Sequence, residues 1–376
     1  MAQTTARHRL RADARHRRDA ATVDTASHMP RSLRGHELTH FEFSLLDGDS
    51  GLCAQDLLAA LCRDGVVLLR LAAADQLAAV MEDCFRACHA FFARPFHERA
   101  RHGAGPGVGQ LHGWMEYLSD EEGSECFEAK VHYDPAFTWP DRPRDFKRCV
   151  VRARNLLART ARTVLLALTR ALGLEPASIQ SLLDVGAAAG DRAVELSSAS
   201  HAAMRVWQYT HSRPAGLHCD NSLLTLAPAA TAVGLRVHSP SAGAILFPEA
   251  QMAADEVLVF AGDALSFLTA GRVPAAMHQV LPPATAATAT AAATAPRLSA
   301  PFFLRGRRNA LLHSTAKGMA PLAVCTLEHN ADNLRSQWPW KQGAMAAYYQ
   351  GQTWHESEGQ TWHETCVAES KVVHGT

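Results

Sequence analysis

The sequence predicts a mixed fold, with a helical N-terminal half followed by a β-rich half that forms a sandwich or barrel. Before residue 200, apolar residues recur every three or four positions over long stretches, as they do in amphipathic helices. After residue 200, short runs of apolar residues are separated by Gly, Pro, Asp and Ser. No long linker separates the two halves, so we expect them to pack as one unit.

The N-terminal half contains three helical patterns and one buried strand. Helices are predicted over 52–63, 74–92 and roughly 141–174, and Gly65 and Gly173 are plausible stops for the first and third. Between the first two helices, the run Val66-Val67-Leu68-Leu69 is typical of a buried strand. The Gly-rich stretch 103–109 predicts a loop.

The C-terminal half contains many short β-like runs. They cover 203–209, 222–226, 234–238, 243–247, 256–260, 264–268 and 297–304. Short strands that alternate with turn residues are typical of all-β sandwiches and barrels. The low-complexity stretch 284–295, made of Ala and Thr, interrupts this pattern and predicts an exposed loop.

Five segments follow from these patterns: a tail over 1–34, a helical region over 35–199, a β-rich core over 200–310, further strand or helix elements over 311–350, and a second tail over 351–376. The first tail is rich in Arg, which fits either a disordered tail or an organelle transit peptide. The second contains GQTWHES followed by GQTWHET, a tandem copy that indicates a duplicated tail.

Composition narrows the function classes and the compartment. Lys+Arg and Asp+Glu both number 37, so a net charge of zero does not favour nucleic acid or an anionic membrane as a partner. No apolar run approaches the roughly 20 residues of a membrane span. The nine cysteines are irregularly spaced, which favours a reducing compartment, the cytoplasm, with an organelle such as the mitochondrion as the alternative. We expect a monomer.

A candidate metal site begins at His218 and Asp220 in the run LHCDNSLLTL. Residues two apart in a strand point to the same face, so the imidazole and the carboxylate can converge on one ion. His278 is the third predicted ligand. Two imidazoles and one carboxylate leave three coordination positions open, which is the arrangement typical of oxygen-activating iron(II).

A lone H-x-D pair is a weak signal, and the chain contains a second one at His132 and Asp134. Order and context distinguish the first pair. It is followed by a β-rich stretch, a turn, His278, and then Arg297 and Ser299, which share one strand face. A guanidinium fork can bind a carboxylate through two hydrogen bonds, and a nearby hydroxyl can add a third.

These motifs resemble the isopenicillin N synthase-like branch of the iron(II)/2-oxoglutarate-dependent dioxygenases. The stretches that carry the resemblance are RVWQYT (205–210), GLHCDNSLLTL (216–226), VLVFAGDALSFLTAG (257–271), MHQV (277–280) and PRLSAPFFL (296–304). The resemblance implies a double-stranded β-helix, that is, a cupin-like jelly roll, with a helical N-terminal region. Its specific motifs lie only within 200–305.

The resemblance also implies the roles of individual residues. It implies iron(II) held by His218, Asp220 and His278, with dioxygen as the oxidant and 2-oxoglutarate as the cosubstrate. Arg297, Ser299 and Tyr209 would bind the 2-oxoglutarate. Two departures stand out: Trp207 replaces an Asn that many plant members carry, and the spacing from His278 to Arg297 is lengthened by the Ala/Thr stretch.

The implied activity is oxidation of a small molecule by hydroxylation, desaturation or ring closure. Two alternatives stay open: an oxidase of the isopenicillin N synthase type that uses no 2-oxoglutarate, and a non-catalytic jelly-roll module that binds a ligand or partner. Trp114 and Phe127 are candidate substrate residues, because they fall where the helical half would cover the metal. They fit packing between the two halves equally well.

Overall fold

The computed structural model describes ten segments of the chain: residues 36–46, 51–103, 112–119, 122–131, 137–183, 201–209, 217–241, 244–281, 296–307 and 309–324. The chain divides into two compact units, Met1–Glu37 and Leu38–Thr376, and the elements below belong to the second. The tails 1–34 and 351–376, the loop 284–295, the pair His132 and Asp134, and residues 325–350 lie outside the described residues.

Seven α-helices and fourteen strands are found among the described residues. The helices are α1 (Phe43–Leu46), α2 (Gly51–Asp64), α3 (Leu77–Phe92), α4 (Phe96–Arg99), α5 (Phe146–Ala171), α6 (Pro176–Leu182) and α7 (Asp263–Leu268). The strands are β1 (His40–Glu42), β2 (Val66–Arg70), β3 (Gly113–Ser119), β4 (Glu122–Lys130), β5 (Ala203–Tyr209), β6 (Leu224–Pro228), β7 (Leu235–His238), β8 (Ile245–Leu246), β9 (Glu256–Ala261), β10 (His278–Val280), β11 (Arg297–Ser299), β12 (Phe302–Leu304), β13 (Leu311–Leu312) and β14 (Leu322–Ala323).

Within the described segments the strands form one large sheet and two small ones. The large sheet has nine strands in the order β1-β2-β9-β6-β12-β5-β4-β3, with β11 also paired to β5. Three strands form a second sheet in the order β10-β7-β8, and β13 pairs with β14. Every strand pair is antiparallel except β1 with β2. This architecture confirms the predicted fold class of a β-rich core with a helical region.

The two faces of the large sheet bury different apolar clusters. On one face, residues such as Val67, Val206 and Val259 pack with the helices in what we call the helix-side cluster. On the other face, residues such as Leu68 and Phe260 pack with Val237 and Val280 of the three-stranded sheet, in the inter-sheet cluster. Neighbouring residues of β9 fall into different clusters because side chains alternate across a strand.

The predicted strand over 264–268 is wrong, because Asp263–Leu268 is the short helix α7. All six of its residues are buried, so the segment has no exposed polar face from which a helical period can be read. The hairpin of β3 and β4 is a strand pair that the sequence patterns of the helical half do not predict. It carries four Glu and two Gly residues, which are uncommon in strands, but β4 pairs with β5 along its length.

Two further features concern the cysteines and the character of the helices. Seven cysteines within the described residues are free thiols, at positions 53, 62, 84, 88, 126, 149 and 219. None of the helices in the described residues combines the length and the apolar character that crossing a lipid bilayer requires.

Candidate functional site

The predicted metal ligands converge in the structure. One ligand atom from each of His218, Asp220 and His278 lies within 4.8 Å of the others. The Nε2 atoms of His218 and His278 lie 3.7 and 3.9 Å from Oδ1 of Asp220. Among the described residues, this is the one cluster of His, Cys, Asp and Glu side chains with such geometry. The exposed fraction of the three side chains rises from 7% at His278 to 40% at His218, so the cluster is accessible to solvent on the side of His218.

Backbone pairing holds the two histidines together. The N–H of His218 donates to the carbonyl of His278 at 2.9 Å, and the N–H of His278 donates to the carbonyl of His218 at 2.9 Å. The imidazole rings lie 4.3 Å apart between centroids. The Nδ1 of His278 lies 3.0 Å from the carbonyl of Ala276, which holds the ring proton on Nδ1 and leaves the lone pair of Nε2 available to a metal.

Asp220 is oriented by hydroxyl groups from β6 and the loop before it. The Oγ1 of Thr225 donates to Oδ2 of Asp220 at 2.6 Å, and it lies 2.9 Å from the Oγ of Ser222. The other carboxylate oxygen, Oδ1, is the one nearest both histidines. Hydrogen-bonded carboxylates of this kind are common around metals, because the second interaction fixes the ligand's direction.

The start of α7 braces the loop that carries Asp220. The N–H groups of Asp263 and Ala264 donate to the carbonyls of Asp220 and Ser222 at 2.7 and 3.2 Å. Gly262 makes this approach possible, because a Cβ there would lie only 2.3 Å from the carbonyl oxygen of Ser222. The segment whose sequence pattern predicts a strand is therefore a helix that supports the loop of Asp220 in the candidate metal site.

Electrostatics favour the ionised form of Asp220. Burial alone would raise the pKa of this carboxyl, but the imidazoles of His278 and His218 and the hydrogen bond from Thr225 outweigh it. The pKa of Asp220 is therefore lowered from its ordinary value. A carboxylate that stays charged near neutral pH is the form that binds a divalent cation.

Arg297, Ser299 and Tyr209 are brought together, as the resemblance implies. Arg297 pairs with Tyr209 across β11 and β5, and the guanidinium Cζ lies 5.3 Å from the centre of the Tyr209 ring. Tyr209 is hydrogen-bonded to Ser299, and burial raises the pKa of its phenol, so the hydroxyl keeps its proton. We call these three side chains the polar pocket, and one of them, Tyr209, also belongs to the inter-sheet cluster.

Two of the three guanidinium nitrogens of Arg297 already have hydrogen-bond partners within the protein. Its Nε donates to the carbonyl of Ala232 at 2.9 Å, and its Nη2 donates to Oε1 of Glu249 at 2.6 Å. The remaining nitrogen, Nη1, is buried without a hydrogen-bond partner among the described residues. Leaving a buried donor unsatisfied is costly, so this atom marks the place where an anionic ligand fits.

Aromatic side chains border the metal and the polar pocket. The rings of Phe260 and His278 lie 5.0 Å apart. Trp207 stacks on Tyr209 at 5.9 Å and pairs with Ser299 across β5 and β11. Trp207, at the position where the resemblance implies an Asn, therefore packs against the inter-sheet cluster.

Trp114 and Phe127 lie on the opposite face of the sheet. They pair with each other across β3 and β4, Phe127 pairs with Val206, and all three belong to the helix-side cluster. Phe127 is fully buried and its ring lies 4.8 Å from that of Phe146 in α5. The indole N–H of Trp114 donates to Glu125 at 2.6 Å. This placement supports packing between the halves rather than contact with a substrate.

Three supporting residues were not identified from the sequence: Thr225, Gly262 and Glu249. Thr225 lies five residues after Asp220, and its hydroxyl within an otherwise apolar run was a readable signal. Gly262 precedes an acidic residue at a turn, which is a common pattern with no specific meaning. Glu249 lies 48 residues from Arg297, and no local pattern predicts such an ion pair.

A comparison with protein-family models agrees with this geometry. Residues 200–306 match the model of the 2OG-Fe(II) oxygenase superfamily. The matched segment contains all three predicted metal ligands and both residues of the Arg-x-Ser motif. No curated protein has a matching sequence.

The similarity to solved structures covers more of the chain than the segment that the family model matches. A 2OG-Fe(II) oxygenase family protein from Caulobacter crescentus has a TM-score of 0.62 and 22% identity, covering 79% of this chain and 99% of its own. A Neurospora crassa protein solved in complex with alpha-KG and thymine has a TM-score of 0.62 and 18% identity, and the match covers 80% of this chain and 98% of the Neurospora crassa chain. The rice dioxygenase for auxin oxidation has a TM-score of 0.57 and 18% identity, and the match covers 80% of this chain and 95% of the rice chain.

Proposed function

We propose that this chain, which carries a domain of the 2OG-Fe(II) oxygenase superfamily, uses His218, Asp220 and His278 to hold the iron of a 2-oxoglutarate-dependent dioxygenase acting on a small molecule. The observation that carries the proposal is the convergence of these three ligand atoms within 4.8 Å. Two neutral nitrogens and one carboxylate oxygen suit iron(II) and leave positions for other ligands. Iron(II), once bound, supplies oxidation of a substrate carbon by dioxygen coupled to decarboxylation of 2-oxoglutarate.

The protein's own residues prepare the metal ligands before any metal arrives. The carbonyl of Ala276 holds the proton of His278 on Nδ1, and Thr225 turns the carboxylate of Asp220 so that Oδ1 points towards both imidazoles. The reciprocal backbone pair keeps the two histidines in register. Ligands that are already oriented lose little freedom on binding, and this favours affinity.

The polar pocket fits the distal carboxylate of 2-oxoglutarate. The buried Nη1 of Arg297 lacks a partner among the described residues. The guanidinium Cζ lies 5.3 Å from the centre of the Tyr209 ring, and Tyr209 is hydrogen-bonded to Ser299. A carboxylate placed there accepts a charge-assisted hydrogen bond and removes the cost of the unsatisfied donor. The apolar residues of the inter-sheet cluster exclude water from this end of the site.

The finer features of the function are also proposals. A zero net charge supports a small molecule rather than a nucleic acid as the substrate. Among the solved relatives, the Neurospora crassa structure contains thymine and the rice enzyme is named for auxin oxidation, and both compounds are small organic molecules. Seven free thiols support a reducing compartment such as the cytoplasm.

The experiment that tests the proposal is a metabolite screen with purified protein, iron(II), ascorbate and 2-oxoglutarate. Succinate released only when a metabolite is present identifies the substrate, and mass analysis of the product separates hydroxylation, desaturation and ring closure. The Asp220→Ala protein is the matched control. A product that forms without consumption of 2-oxoglutarate would replace the proposal with the isopenicillin N synthase type of oxidase.

A further inference from the structure

We propose that Glu249 is a positioning residue for the cosubstrate: it holds one arm of the Arg297 guanidinium so that the other arm alone meets the distal carboxylate of 2-oxoglutarate. The inference rests on the proposed function, because it assigns that carboxylate to the pocket of Arg297, Ser299 and Tyr209. It adds a residue to this pocket that the motifs of the sequence do not contain.

The guanidinium is held on two of its three nitrogens. Nε donates to the carbonyl of Ala232 at 2.9 Å, and Nη2 donates to Oε1 of Glu249 at 2.6 Å. The Arg297 and Glu249 side chains are 1% and 6% exposed, so water does not compete for this ion pair. Nη1 is the guanidinium nitrogen that has no hydrogen-bond partner among the described residues, so both of its N–H groups are left for a ligand.

Glu249 is itself fixed from behind. Its second oxygen, Oε2, accepts the backbone N–H groups of Gly234 and Leu235 at 2.6 and 2.9 Å. These two residues lie where β7 begins, so the carboxylate joins the three-stranded sheet to Arg297 of the large sheet. Because each oxygen of Glu249 has a different partner, the side chain cannot rotate without breaking one of these contacts.

Gly234 is the second observation that points to a built support for Arg297. A Cβ at this position would lie 2.9 Å from Nε of Arg297 and 2.8 Å from the carbonyl oxygen of Leu281. The guanidinium therefore lies against bare backbone on this side and against Glu249 on another. These contacts restrict rotation of the guanidinium and thereby fix the direction of Nη1.

This arrangement changes how the pocket recognises a carboxylate. A free fork would bind it through two parallel hydrogen bonds, whereas here one guanidinium nitrogen acts together with the hydroxyls of Ser299 and Tyr209. Glu249 also reduces the net positive charge of the pocket. The contribution of Glu249 to affinity is therefore geometric, and it must outweigh the repulsion between its own carboxylate and that of the ligand.

The variant Glu249→Gln tests the geometry. The side-chain amide of Gln has one acceptor oxygen and one donor NH2 group. The NH2 group would therefore face either the guanidinium of Arg297 or the N–H groups of Gly234 and Leu235, which are also donors. We expect the affinity for 2-oxoglutarate to fall by about tenfold or more, the effect of losing one charge-assisted hydrogen bond. Binding is measured by calorimetry on protein loaded with zinc, so that the readout does not depend on turnover.

The ligand and variant controls separate positioning from a loss of structure. The first control ligand is 2-oxopentanoate, which has the same 2-oxo acid group but a methyl in place of the distal carboxylate. The matched variant is Glu256→Gln, since Glu256 is also a buried carboxylate bound to a backbone N–H and an Arg, but at the other end of the sheet. A second test variant, Gly234→Ala, changes no charge and places a Cβ 2.9 Å from Nε of Arg297 and 2.8 Å from the carbonyl oxygen of Leu281, so these groups must shift.

The proposal expects that Glu249→Gln and Gly234→Ala weaken 2-oxoglutarate alone, and that Glu256→Gln weakens neither ligand. Unchanged or stronger binding of 2-oxoglutarate in Glu249→Gln overturns the proposal, because repulsion from the Glu249 carboxylate would then matter at least as much as its positioning of Arg297. Equal weakening of both ligands also overturns it, because the effect would be structural. Should Glu249→Gln fail to fold, Gly234→Ala decides alone. Wild-type protein that binds zinc but not 2-oxoglutarate overturns the proposed function as well.

Discussion

His218 and His278 exchange two backbone hydrogen bonds of 2.9 Å and hold their imidazole rings 4.3 Å apart. They are distant along the chain, and β6 to β9 lie between them. The candidate metal site therefore depends on contacts between distant segments: the strand that begins with His278 and the loop that precedes β6 must meet before the third predicted ligand is in place. A ligand substitution should leave this backbone pair intact while removing metal affinity.

We predict that His218→Ala, Asp220→Ala and His278→Ala each abolish stoichiometric iron binding while the protein stays folded. Losing one of three protein ligands removes most of the affinity, and the backbone pair does not depend on the side chains. Metal content after anaerobic loading is the measurement, with circular dichroism as the check on folding. The double variant His132→Ala/Asp134→Ala changes the other H-x-D pair and should bind iron like the wild type. Full iron occupancy in Asp220→Ala would remove Asp220 from the site.

We predict that Arg297→Lys strongly raises the concentration of 2-oxoglutarate required for turnover but leaves iron affinity nearly unchanged. A single ammonium group cannot pair with Glu249 and also reach the carboxylate that Nη1 of Arg297 would bind. The expected loss is about 1.5–3 kcal/mol, or one to two decades in affinity. Ser299→Ala should act in the same direction and more weakly. An unchanged 2-oxoglutarate dependence would show that Arg297 does not hold the cosubstrate.

We predict that Phe127→Ala lowers the free energy of unfolding by about 3–5 kcal/mol, because it opens a cavity in the helix-side cluster. The affinity for 2-oxoglutarate should not change, since Phe127 lies on the face of the sheet away from Tyr209. Denaturant unfolding and calorimetry measure the two effects. Trp207→Ala is the matched variant on the inner face and should alter cosubstrate or substrate binding. A stable Phe127→Ala protein with impaired substrate turnover would restore the substrate role of Phe127.

We predict a loss of stability in acid that depends on His112. Burial, aided by the charges of Arg154 and Lys130, lowers the pKa of this imidazole to about 3. Because the unfolded chain takes up a proton near pH 6.5 and the folded chain does not, stability is lost as the pH falls below about 6.5. The expected loss is about 1.6 kcal/mol between pH 6.5 and pH 5. Urea unfolding at both pH values measures it, and His112→Gln should remove this part of the pH dependence.

We predict that residues 284–295 can be replaced by a short turn without loss of the fold or of iron binding. On either side of this stretch, β10 pairs with β7 and β11 pairs with β5, so the strand register does not depend on the length of the connection. Loop length contributes little to the free energy of unfolding, about 0.6 kcal/mol for each doubling. Thermal unfolding and metal content test this. A shortened protein that cannot fold would show that the segment packs against the core.

The features that could be predicted were those in which a local pattern has one physical meaning. The short β-like run over 203–209 predicts β5. The spacing of His218 and Asp220 predicts that their side chains converge, and they do, although both residues lie in the loop before β6 and not in a strand. The periodic apolar residues between 146 and 171 identified the long helix α5. In β5 and α5 neighbouring residues alone determine which side chains share a face.

The features that could not be predicted depend on contacts between distant segments. The segment 264–268, assigned to a strand, lies in a helix in which every side chain is buried and whose first N–H groups donate to the distant carbonyls of Asp220 and Ser222. Glu125 in β4 belongs to a strand because it pairs with Gln208 of β5, although the residues around it are poor strand formers. Glu249 reaches Arg297 only after both sheets have formed.

The most direct test of the central claim is an anaerobic titration of the iron(II)-loaded protein with 2-oxoglutarate, followed through the metal-to-ligand charge-transfer absorption. The account predicts a visible band that grows with 2-oxoglutarate and saturates at a stoichiometric amount. It also predicts that the titration of Arg297→Lys shifts to higher concentration. A wild-type protein that holds iron at His218, Asp220 and His278 and develops no band would contradict the account, because its metal would then act without this cosubstrate.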